Sequence, residues 1–295
     1  MGPQDVASVL ADLGADFGAV RAVEQGWSYW TFEVEPGWIF RFPRNDDIAR
    51  SLEVELEVLP GIEAHVPFAV PHFEHVGSFR GRPYIGYRKI PGRPLRPEDL
   101  LDPGSGTDAV ARALSSLHRV PKAAVAAARG INASVEGWRQ RYLGLREEAR
   151  ARVFPRLDGP LVAAAERGFD RFLQEELPAL EAVTVVHYDL GCAHILMDEP
   201  GAEVRGIIDF EEVTVGDPAV DFVGLLCTCG EEAVVRVLER YGGPDDDRLQ
   251  ARIRFYAWMG SYHALEYGLE QGDEGIVKDA CDGLRIRLGH AALLA

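Results

Sequence analysis

Two carboxylates and two imidazoles lie close together in the middle of this chain, at His187, Asp189, His194 and Asp209. Short apolar runs around them predict strands, and a Glu-Pro-Gly-Ala turn separates the last two. In a hairpin about that turn His194 faces residue 208, so Asp209 would lie beside His194 and close to the loop that carries Asp189. Such carboxylates suit metal-dependent phosphoryl transfer, in which one Asp orients the acceptor hydroxyl and another holds Mg²⁺.

A structural role is the alternative for each of these residues taken alone. A histidine can bond to the backbone, and an aspartate can cap a turn. The hairpin, however, brings Asp209 to the same place as Asp189, and a Gly-Asp-Pro-x-x-Asp segment that ends at Asp221 follows directly. The combination therefore favours a catalytic site.

These motifs resemble those of the aminoglycoside phosphotransferase family, whose pattern is H-x-D-x4-N, then I-D-[FW], then G-D-P-x-x-D. The resemblance implies an α+β, bilobal, protein-kinase-like fold, with a small β-rich lobe and a larger, mainly helical one. It also implies that Asp189 is the catalytic base and Asp209 a metal ligand, while His187 and Asp221 support the loop through hydrogen bonds. The matching segments are His187-Tyr188-Asp189, Ile208-Asp209-Phe210 and Gly216-Asp217-Pro218-Ala219-Val220-Asp221.

One position departs from the family pattern, since His194 stands where the family usually has asparagine. Mg²⁺ prefers oxygen ligands, so an imidazole ligand is chemically unusual. Similar histidines occur in the aminoglycoside 2''-phosphotransferase and macrolide phosphotransferase branches, which this chain therefore resembles most. His194 is then a second metal ligand, or alternatively it lies behind the ligands without touching the metal.

Apolar periodicity and turn residues predict two lobes around this site. Strands with one helix between them come first, and helices dominate after the boundary at Ile90-Pro91-Gly92-Arg93-Pro94. We predict a nucleotide-binding lobe at 1–89 and a catalytic, substrate-binding lobe at 90–295. The predicted strands are 20–34, 37–44, 73–79 and 84–88, besides those of the hairpin, and the predicted helices are 5–13, 48–59, 108–119, 137–152, 159–177, 231–241, 246–270 and 275–294.

The phosphate-binding cation of the first lobe has to be an arginine. Kinases use a lysine on the third strand, but this chain has no lysine before Lys89. Alternation in Ile39-Phe40-Arg41-Phe42-Pro43 places Arg41 opposite its aromatic neighbours, and resemblance to similar family segments also puts Arg41 at the lysine position. Glu55 on the following helix is its predicted partner, and Arg44 is the alternative phosphate contact.

Two further segments are candidates for nucleotide binding. Gly26 and Ser28 belong to a segment before the paired strands that could cover the phosphates, although it lacks a G-x-G-x-x-G motif. Tyr87 and Lys89 belong to the segment that would connect the lobes and contact the purine base of the nucleotide. The resemblance supports both assignments only by position.

The acceptor would bind between the hairpin and the carboxy-terminal helices. There, acidic and aromatic side chains recur at helical spacing, as ammonium-binding and sugar-stacking groups would. A place in the core is the alternative for the aromatic residues. The candidate acceptor contacts are Glu212, Trp258, Glu266, Tyr267 and Glu270.

Composition restricts the partners. The net charge of −16 argues against binding nucleic acid and favours a cationic ligand. We find no apolar run long enough to span a membrane and no secretory signal, so we expect a cytoplasmic protein, and a monomer. Cys192, Cys227, Cys229 and Cys281 lack the spacing of a disulfide framework, which predicts reduced thiols, and a zinc site is a weaker interpretation than core thiols.

The resemblance and the charge together predict a Mg²⁺-dependent enzyme that transfers the γ-phosphoryl group of ATP or GTP to a hydroxyl of an aminoglycoside-type antibiotic. A macrolide 2'-phosphotransferase is one alternative. A kinase of a small metabolite such as choline, homoserine or methylthioribose is another. A catalytically inactive nucleotide-binding homologue is the alternative from a different class, although the retention of both Asp189 and Asp209 argues against it.

Overall fold

The first lobe is an antiparallel sheet with a helix on each face. The sheet has the strand order β1-β2-β3-β5-β4. Its elements are α1 (Pro3–Leu13), β1 (Val20–Val23), β2 (Tyr29–Val34), β3 (Trp38–Pro43), α2 (Asp46–Glu63), β4 (Phe73–Phe79) and β5 (Arg82–Arg88). The structure, a computed structural model, describes residues 1–14, 17–23, 28–101, 105–125, 134–244 and 246–293.

The central strand β3 separates an apolar face from a functional one. Phe40 and Phe42 are buried against α1, in the cluster that fills one side of the sheet. Side chains alternate along a strand, so Arg41 points to the opposite side, where Leu52 and Ile85 form a second cluster. The alternation predicted from the sequence thus brings one guanidinium under helix α2.

Helix α2 carries Glu55 to the same side of the sheet. Asn45 caps the helix, because its side chain accepts a hydrogen bond from the amide of Ile48 at 2.9 Å. Leu52 and Leu59 are buried at helical spacing, and Glu55 lies between them on the same face, with no solvent exposure. A carboxylate on an otherwise apolar helix face indicates a buried partner.

The second lobe is mainly helical. A two-stranded sheet (β10-β7) and a three-stranded one (β6-β8-β9) are placed among its helices. Short π-helical turns at Ala149–Val153 and Phe172–Glu176 extend the fifth and sixth helices. The elements are β6 (Arg93–Pro94), α3 (Pro97–Leu101), α4 (Ser105–Leu117), α5 (Val135–Glu148), α6 (Gly159–Arg171), β7 (Thr184–Val186), β8 (Ile195–Met197), β9 (Val204–Ile207), β10 (Thr214–Gly216), α7 (Val223–Leu238), α8 (Leu249–Gln271) and α9 (Glu274–Leu293).

The hairpin of β8 and β9 has the register that the sequence predicts. Ile195 is opposite Ile207. The next pair continues this ladder, since the amide of Ile208 donates to the carbonyl of His194 at 3.0 Å. Asp209 therefore follows directly on the residue that pairs with His194.

The Gly-Asp-Pro-x-x-Asp segment after the hairpin is hydrogen-bonded to helix α8. The Asp217 side chain accepts hydrogen bonds from the Arg252 guanidinium at 2.6 Å and from the Tyr256 hydroxyl at 2.8 Å. Asp217 and Arg252 both have no solvent exposure. The hydrogen bonds of this buried pair hold the segment against α8.

The proposed lobe boundary at residue 89 lies between β5 and β6, but the lobes also share backbone contacts upstream of it. The amide of Ala69 donates to the carbonyl of Arg205 at 3.0 Å, and the amide of Ile207 donates to the carbonyl of Ala69 at 2.9 Å. The segment after α2 thus extends the edge of the β8–β9 hairpin.

Two predicted elements differ in the structure. The single strand predicted at 20–34 is two strands, β1 and β2, which pair antiparallel across the intervening segment. The helix predicted at 231–241 begins earlier, at Val223, and Gly230 interrupts it with φ = 85°. The interruption hid the first half of α7, because Gly230 divides the apolar pattern. Within the described ranges no helix is long and apolar enough to cross a membrane.

Candidate active site

The loop after β7 is held in place by one buried carboxylate, that of Asp221. Asp221 accepts hydrogen bonds from the amides of His187, at 2.9 Å, and Tyr188, at 2.8 Å. His118 lies 3.0 Å from the same carboxylate through Nε2. The structure thus brings together His187 and Asp221, the two residues that the resemblance assigns to loop support, and it adds His118, which directly follows α4 and was not a predicted site residue.

The buried ring of His187 connects this loop to the segment that carries Asp209. Its Nε2 donates to the carbonyl of Ile208 at 2.9 Å. Burial lowers the pKa of His187, which favours the neutral ring. Asp189 and Asp209 therefore lie at the ends of two segments that His187 ties together.

The Asp189 carboxyl lies on the open side of the loop. Burial is the main cause that raises its pKa, while His194 and His187 lower the pKa. Tyr188, just before it, has a left-handed backbone with φ = 72°. Such a conformation costs free energy in a non-glycine residue and is frequent at functional sites. The carboxyl can accept a proton from a hydroxyl presented from the cleft.

The hydrogen bonds of His194 determine which ring nitrogen is available. Nδ1 lies 2.7 Å from the carbonyl oxygen of Asp189, which can only accept, so Nδ1 carries the proton. The amide of Gly191 also approaches this nitrogen, but only to 3.5 Å, so the shorter contact with the carbonyl determines the tautomer. Nε2 faces the Asp209 carboxylate at 3.6 Å. In the neutral ring, Nε2 has a free lone pair that points towards that carboxylate.

Arg41 joins the two lobes at the other oxygen of Asp209. Its Nη2 donates to Asp209 Oδ1 at 2.6 Å, and its Nη1 lies 3.4 Å from Glu55 Oε1. The guanidinium also stacks on the ring of Tyr29, at 3.8 Å from the centroid. The alternative residue, Arg44, instead donates to the carbonyl of Tyr29 at 3.1 Å. The structure therefore places Arg41 against Glu55 and Asp209.

Glu211 is a third carboxylate at Arg41 that the sequence analysis missed. Its Oε2 is 3.8 Å from Arg41, and its Oε1 accepts a hydrogen bond from the Ser28 hydroxyl at 2.8 Å. The signal was present, since two glutamates follow Ile208-Asp209-Phe210, but only Glu212 was singled out.

These groups leave an excess of negative charge around one guanidinium. Burial raises the pKa of Glu55 to about 7, and burial followed by the Asp209 charge raises that of Glu211. Glu55 Oε2, Glu211 Oε2 and the Tyr29 hydroxyl are buried polar atoms with no hydrogen-bond partner among the described residues. Of these, the two buried carboxylate oxygens are acceptors without donors, which favours a bound cation.

The residues fit Mg²⁺ in part. Within the described ranges, no three His, Cys, Asp or Glu side chains converge closely enough to hold a metal by themselves. Mg²⁺, however, usually binds through one or two carboxylates and takes its other ligands from water and phosphates. Asp209 Oδ2 with either Glu211 or His194 provides such a partial set.

A cavity of about 350 Å³ opens between the lobes at this point. Its volume is at the lower end of small-molecule sites. Both lobes line the cavity, since Tyr87 from β5 lies opposite the loop that carries Asp189. The lining includes Ser28, Tyr29, Arg41, Tyr87, Asp189, His194, Asp209 and Glu211.

The predicted nucleotide contacts do not all reach this cavity. Gly26 lies outside the described residues. Tyr87 is buried next to Arg41, and burial raises its pKa to about 12. Lys89 is less suited to bind a base, because its amide donates to the carbonyl of Gly37 at 2.9 Å and its ammonium to Glu33 at 2.8 Å.

The predicted acceptor contacts are divided between the cleft and the helical core. Glu212 directly follows Glu211 in the segment after Asp209, and burial followed by the Asp189 charge raises its pKa. Trp258 is a correction, because it is 3% exposed and packs edge-on against Phe169 and Phe255. Aromatic residues at helical spacing on α8 mainly fill the core.

Three other predicted acceptor residues lie at the exposed side of α8. Glu266 and Glu270 form ion pairs with Arg152, at 3.0 and 2.6 Å, so a cationic ligand would have to compete with that arginine. Tyr267 is exposed. Arg141, which the sequence analysis missed, contacts the loop that carries Asp189, since it donates to the Tyr188 hydroxyl at 2.8 Å.

Comparisons with known proteins give consistent results at the level of sequence. Residues 19–256 match the sequence model of a family described as the phosphotransferase enzyme family. Viomycin phosphotransferase of Streptomyces vinaceus is 30% identical over 259 residues, which cover 83% of this chain and 82% of that protein. Streptomycin 3''-kinase of Streptomyces griseus is 28% identical over 274 residues, 86% of this chain and 95% of that protein.

Solved structures show the same fold. A GDP and kanamycin complex of APH(2'')-IIIa superposes with a TM-score of 0.87 at 23% identity, over 98% of this chain and 99% of that one. A macrolide 2'-phosphotransferase type I superposes with a TM-score of 0.76 at 24% identity, over 96% and 98%. The predicted α+β, kinase-like fold is confirmed.

Proposed function

This chain belongs to the phosphotransferase enzyme family, whose sequence model covers most of its length, and we propose that it transfers the γ-phosphoryl group of ATP or GTP to a hydroxyl of a basic, aminoglycoside-type antibiotic. The observation that carries the proposal is the convergence of Asp189, Asp209, His194 and Arg41 on one inter-lobe cavity. Positioning and charge neutralisation are the main requirements of phosphoryl transfer, and this cavity offers both.

Asp189 acts as the base in this proposal. Its carboxylate orients the acceptor hydroxyl and accepts the proton as the oxygen attacks the γ-phosphorus, while the bond from that phosphorus to the β-phosphate oxygen breaks. His194 and the amide of Gly191 bond to the Asp189 carbonyl, at 2.7 and 3.0 Å, and so fix the backbone that carries the base. His187 and Asp221 hold the same loop from below.

Arg41 binds the nucleotide phosphates in this proposal, supported by Glu55. An arginine keeps a permanent charge and offers two parallel donors to phosphate oxygens. In the structure one of those donors is on Asp209, so phosphate and Asp209 compete for the same guanidinium. Ser28 lies at the end of the segment that would cover the phosphates, and Tyr87 would lie beside the purine ring of the nucleotide.

Asp209, with Glu211 or His194, would hold the divalent cation. When bound, Mg²⁺ would neutralise charge that develops on the transferred phosphoryl group. Glu211 Oε2, a buried oxygen that accepts no hydrogen bond from the described residues, supports an oxygen ligand here. The free lone pair of His194 Nε2 supports a nitrogen ligand as the alternative, and both nearby groups favour a cation at the cleft.

The acceptor is a polycation in this proposal. Glu212, whose pKa the Asp189 charge helps to raise, is the candidate partner for an ammonium group, and the net charge of the chain is −16. The names of the two sequence relatives refer to viomycin and streptomycin. A macrolide is the second candidate, favoured by the structural similarity to a macrolide 2'-phosphotransferase. A metabolite kinase remains an outcome of the test below. We further propose a cytoplasmic monomer.

The test is a phosphorylation screen with purified protein. ATP and GTP are offered with aminoglycosides, viomycin, macrolides, choline, homoserine and methylthioribose, and phosphorylated products are detected by mass spectrometry. We expect transfer to a basic antibiotic, and the position of the phosphate follows from NMR of the product. Transfer to a macrolide or metabolite alone would replace the proposed acceptor class. Nucleotide binding without transfer to any acceptor would favour the inactive homologue.

A further inference from the structure

Two thiols face each other next to the loop 187–191, which carries Asp189 and is called the catalytic loop below. Sγ of Cys192 and Sγ of Cys229 are 3.4 Å apart, and both cysteines are free. Cys192 begins the one-turn helix Cys192–His194 that leads from Asp189 into β8, and it is 7% exposed. Cys229 is half-buried on α7. Neither thiol is needed for the phosphoryl transfer proposed above.

Helix α7 packs against the same loop without any intervening space. A Cβ on Gly224 would overlap the carbonyl oxygen of Leu190 and would lie 2.8 Å from Gly191 Cα. Backbone thus lies on backbone at the base of the loop that carries Asp189. Movement of α7 relative to Cys192 is therefore transmitted to this loop, because a close-packed contact cannot absorb it.

The backbone next to Cys229 can accommodate a new bond. A disulfide requires an S–S distance of about 2.05 Å, so the sulfurs have to approach by roughly 1.4 Å. Gly230 interrupts α7 with φ = 85°. Cys229 is thus the last residue before a break, where the helix end can shift without breaking a continuous hydrogen-bond ladder.

We propose that Cys192 and Cys229 are an oxidisable pair and that their disulfide lowers the transferase activity by displacing the catalytic loop. The activity part rests on the proposed function, whereas the disulfide itself does not. A peroxide is the class of oxidant that the pair would meet in a reducing compartment, where disulfides are transient and regulatory.

The chemistry is a two-electron oxidation of two thiols. The more accessible Cys229 sulfur attacks one oxygen of hydrogen peroxide, the O–O bond breaks, and the released hydroxide leaves as water with the thiol proton. The Cys192 sulfur then attacks the sulfenic sulfur, the S–S bond forms and the S–O bond breaks. The second hydroxide leaves as water with the Cys192 proton. One peroxide is reduced to two waters.

The effect on activity follows from the position of Cys192. Its sulfur moves towards α7, away from the cleft, and His194 two residues later moves with it. The bond from His194 Nδ1 to the Asp189 carbonyl, 2.7 Å long, then lengthens or breaks. A misplacement of about 1 Å at a catalytic group can cost up to 10²-fold in rate, so we expect at least roughly a 10-fold loss of kcat.

The first experiment tests the bond. The full-length protein is treated with hydrogen peroxide at pH 8, alkylated and digested without reductant, and the linked peptides are identified by mass spectrometry. We expect a Cys192–Cys229 link, with the number of free thiols falling from the four of the reduced chain to two. A link from Cys192 to Cys227, a link between chains, or sulfinic acid at Cys229 in place of a link would overturn the proposal.

The second experiment tests the effect on activity, with Cys229→Ser and the matched variant Cys227→Ser. Cys227 is the exposed thiol two residues away. Peroxide should lower kcat of the wild type and of Cys227→Ser about 10-fold, dithiothreitol should restore it, and Cys229→Ser should be insensitive. If the disulfide forms and kcat is unchanged, the regulatory part is wrong. If no acceptor is phosphorylated even by the reduced protein, the proposed function fails, while the linked peptide still decides the disulfide.

Discussion

Asp189 and Asp209 are similar carboxylates placed in different surroundings. Asp209 is paired with Arg41 and faces His194, whereas Asp189 points into the cleft from an anchored loop. A carboxylate already engaged by a guanidinium is a poor base and a suitable ligand for a cation. At the residue scale, the difference between the two sites is thus made by Arg41, which reaches only one of them.

Replacement of the proposed base tests this division. We expect Asp189→Asn to lower kcat by about 10²–10⁴-fold, the usual contribution of a general base, because the amide cannot accept the hydroxyl proton. The dissociation constant for nucleotide, measured by calorimetry, should stay within a few-fold of the wild type, because the Arg41 contacts remain. Glu212→Gln is the companion variant and should raise KM for the acceptor with kcat nearly unchanged. An Asp189→Asn variant with normal turnover would remove Asp189 from the mechanism.

Glu55 predicts a pH dependence of stability. Burial raises its pKa from 4.5 to about 7, so the folded protein binds this proton more tightly than the unfolded chain. Its contribution to the free energy of unfolding is complete below pH 4.5 and is lost as the pH rises through 7. Between these limits the wild type should lose about 1 kcal/mol per pH unit relative to Glu55→Gln.

Urea unfolding at several pH values from 4.5 to 8 measures this difference. Glu57→Gln, at an exposed position of the same helix, is the control and should follow the wild type. Parallel curves for the wild type and Glu55→Gln would mean that Glu55 is ionised at its usual pH in the folded protein.

At the scale of elements, strand alternation and hairpin register were predictable, while packing between elements was not. The alternation in β3 placed Arg41 on the α2 face, and the turn before β9 placed Asp209 beside His194, because both depend on local periods of the chain. Trp258 was assigned to the acceptor because helical spacing alone does not distinguish a core face from a cleft. Arg141 was missed because its role depends on contacts between distant segments. Glu211 directly follows the Ile-Asp-Phe motif, and only its neighbour Glu212 was assigned a role.

The contact of α7 with the catalytic loop leads to a prediction about an element. Gly224→Ala would force α7 away from Leu190 and Gly191, and we expect a loss of about 1–3 kcal/mol in unfolding free energy, as for other overpacked sites. The kcat should fall as well, because the displaced backbone carries Asp189. Gly260→Ala in α8 is the matched control, since its Cβ would meet no atom within 4 Å. That variant should gain up to about 1 kcal/mol, the helix propensity of alanine over glycine.

Unfolding in urea and steady-state kinetics of the two variants separate the effects. Equal stability of Gly224→Ala and the wild type would show that the loop and α7 can move apart freely, and would also weaken the mechanism proposed for the Cys192–Cys229 disulfide.

At the scale of the whole molecule, the charge of −16 acts on both substrates at once. A polycationic antibiotic is attracted to the cleft and a nucleotide is repelled from it, except where Arg41 binds its phosphates. Salt screens both effects, because the Debye length falls from about 30 Å at 0.01 M to about 8 Å at 0.15 M ionic strength. The two substrates should therefore respond to salt with opposite signs.

We accordingly expect KM for a polycationic acceptor to rise several-fold between about 0.02 and 0.5 M ionic strength, while KM for the nucleotide stays constant or falls. Initial rates at constant free Mg²⁺, with each substrate varied at saturation of the other, measure both slopes. A macrolide has one amine, so an enzyme that prefers macrolides would show a much weaker slope for the acceptor. A flat acceptor slope would mean that recognition depends on local contacts such as Glu212 and not on the field of the acidic surface. Equal slopes of the same sign for both substrates would instead indicate an effect of salt on the protein itself.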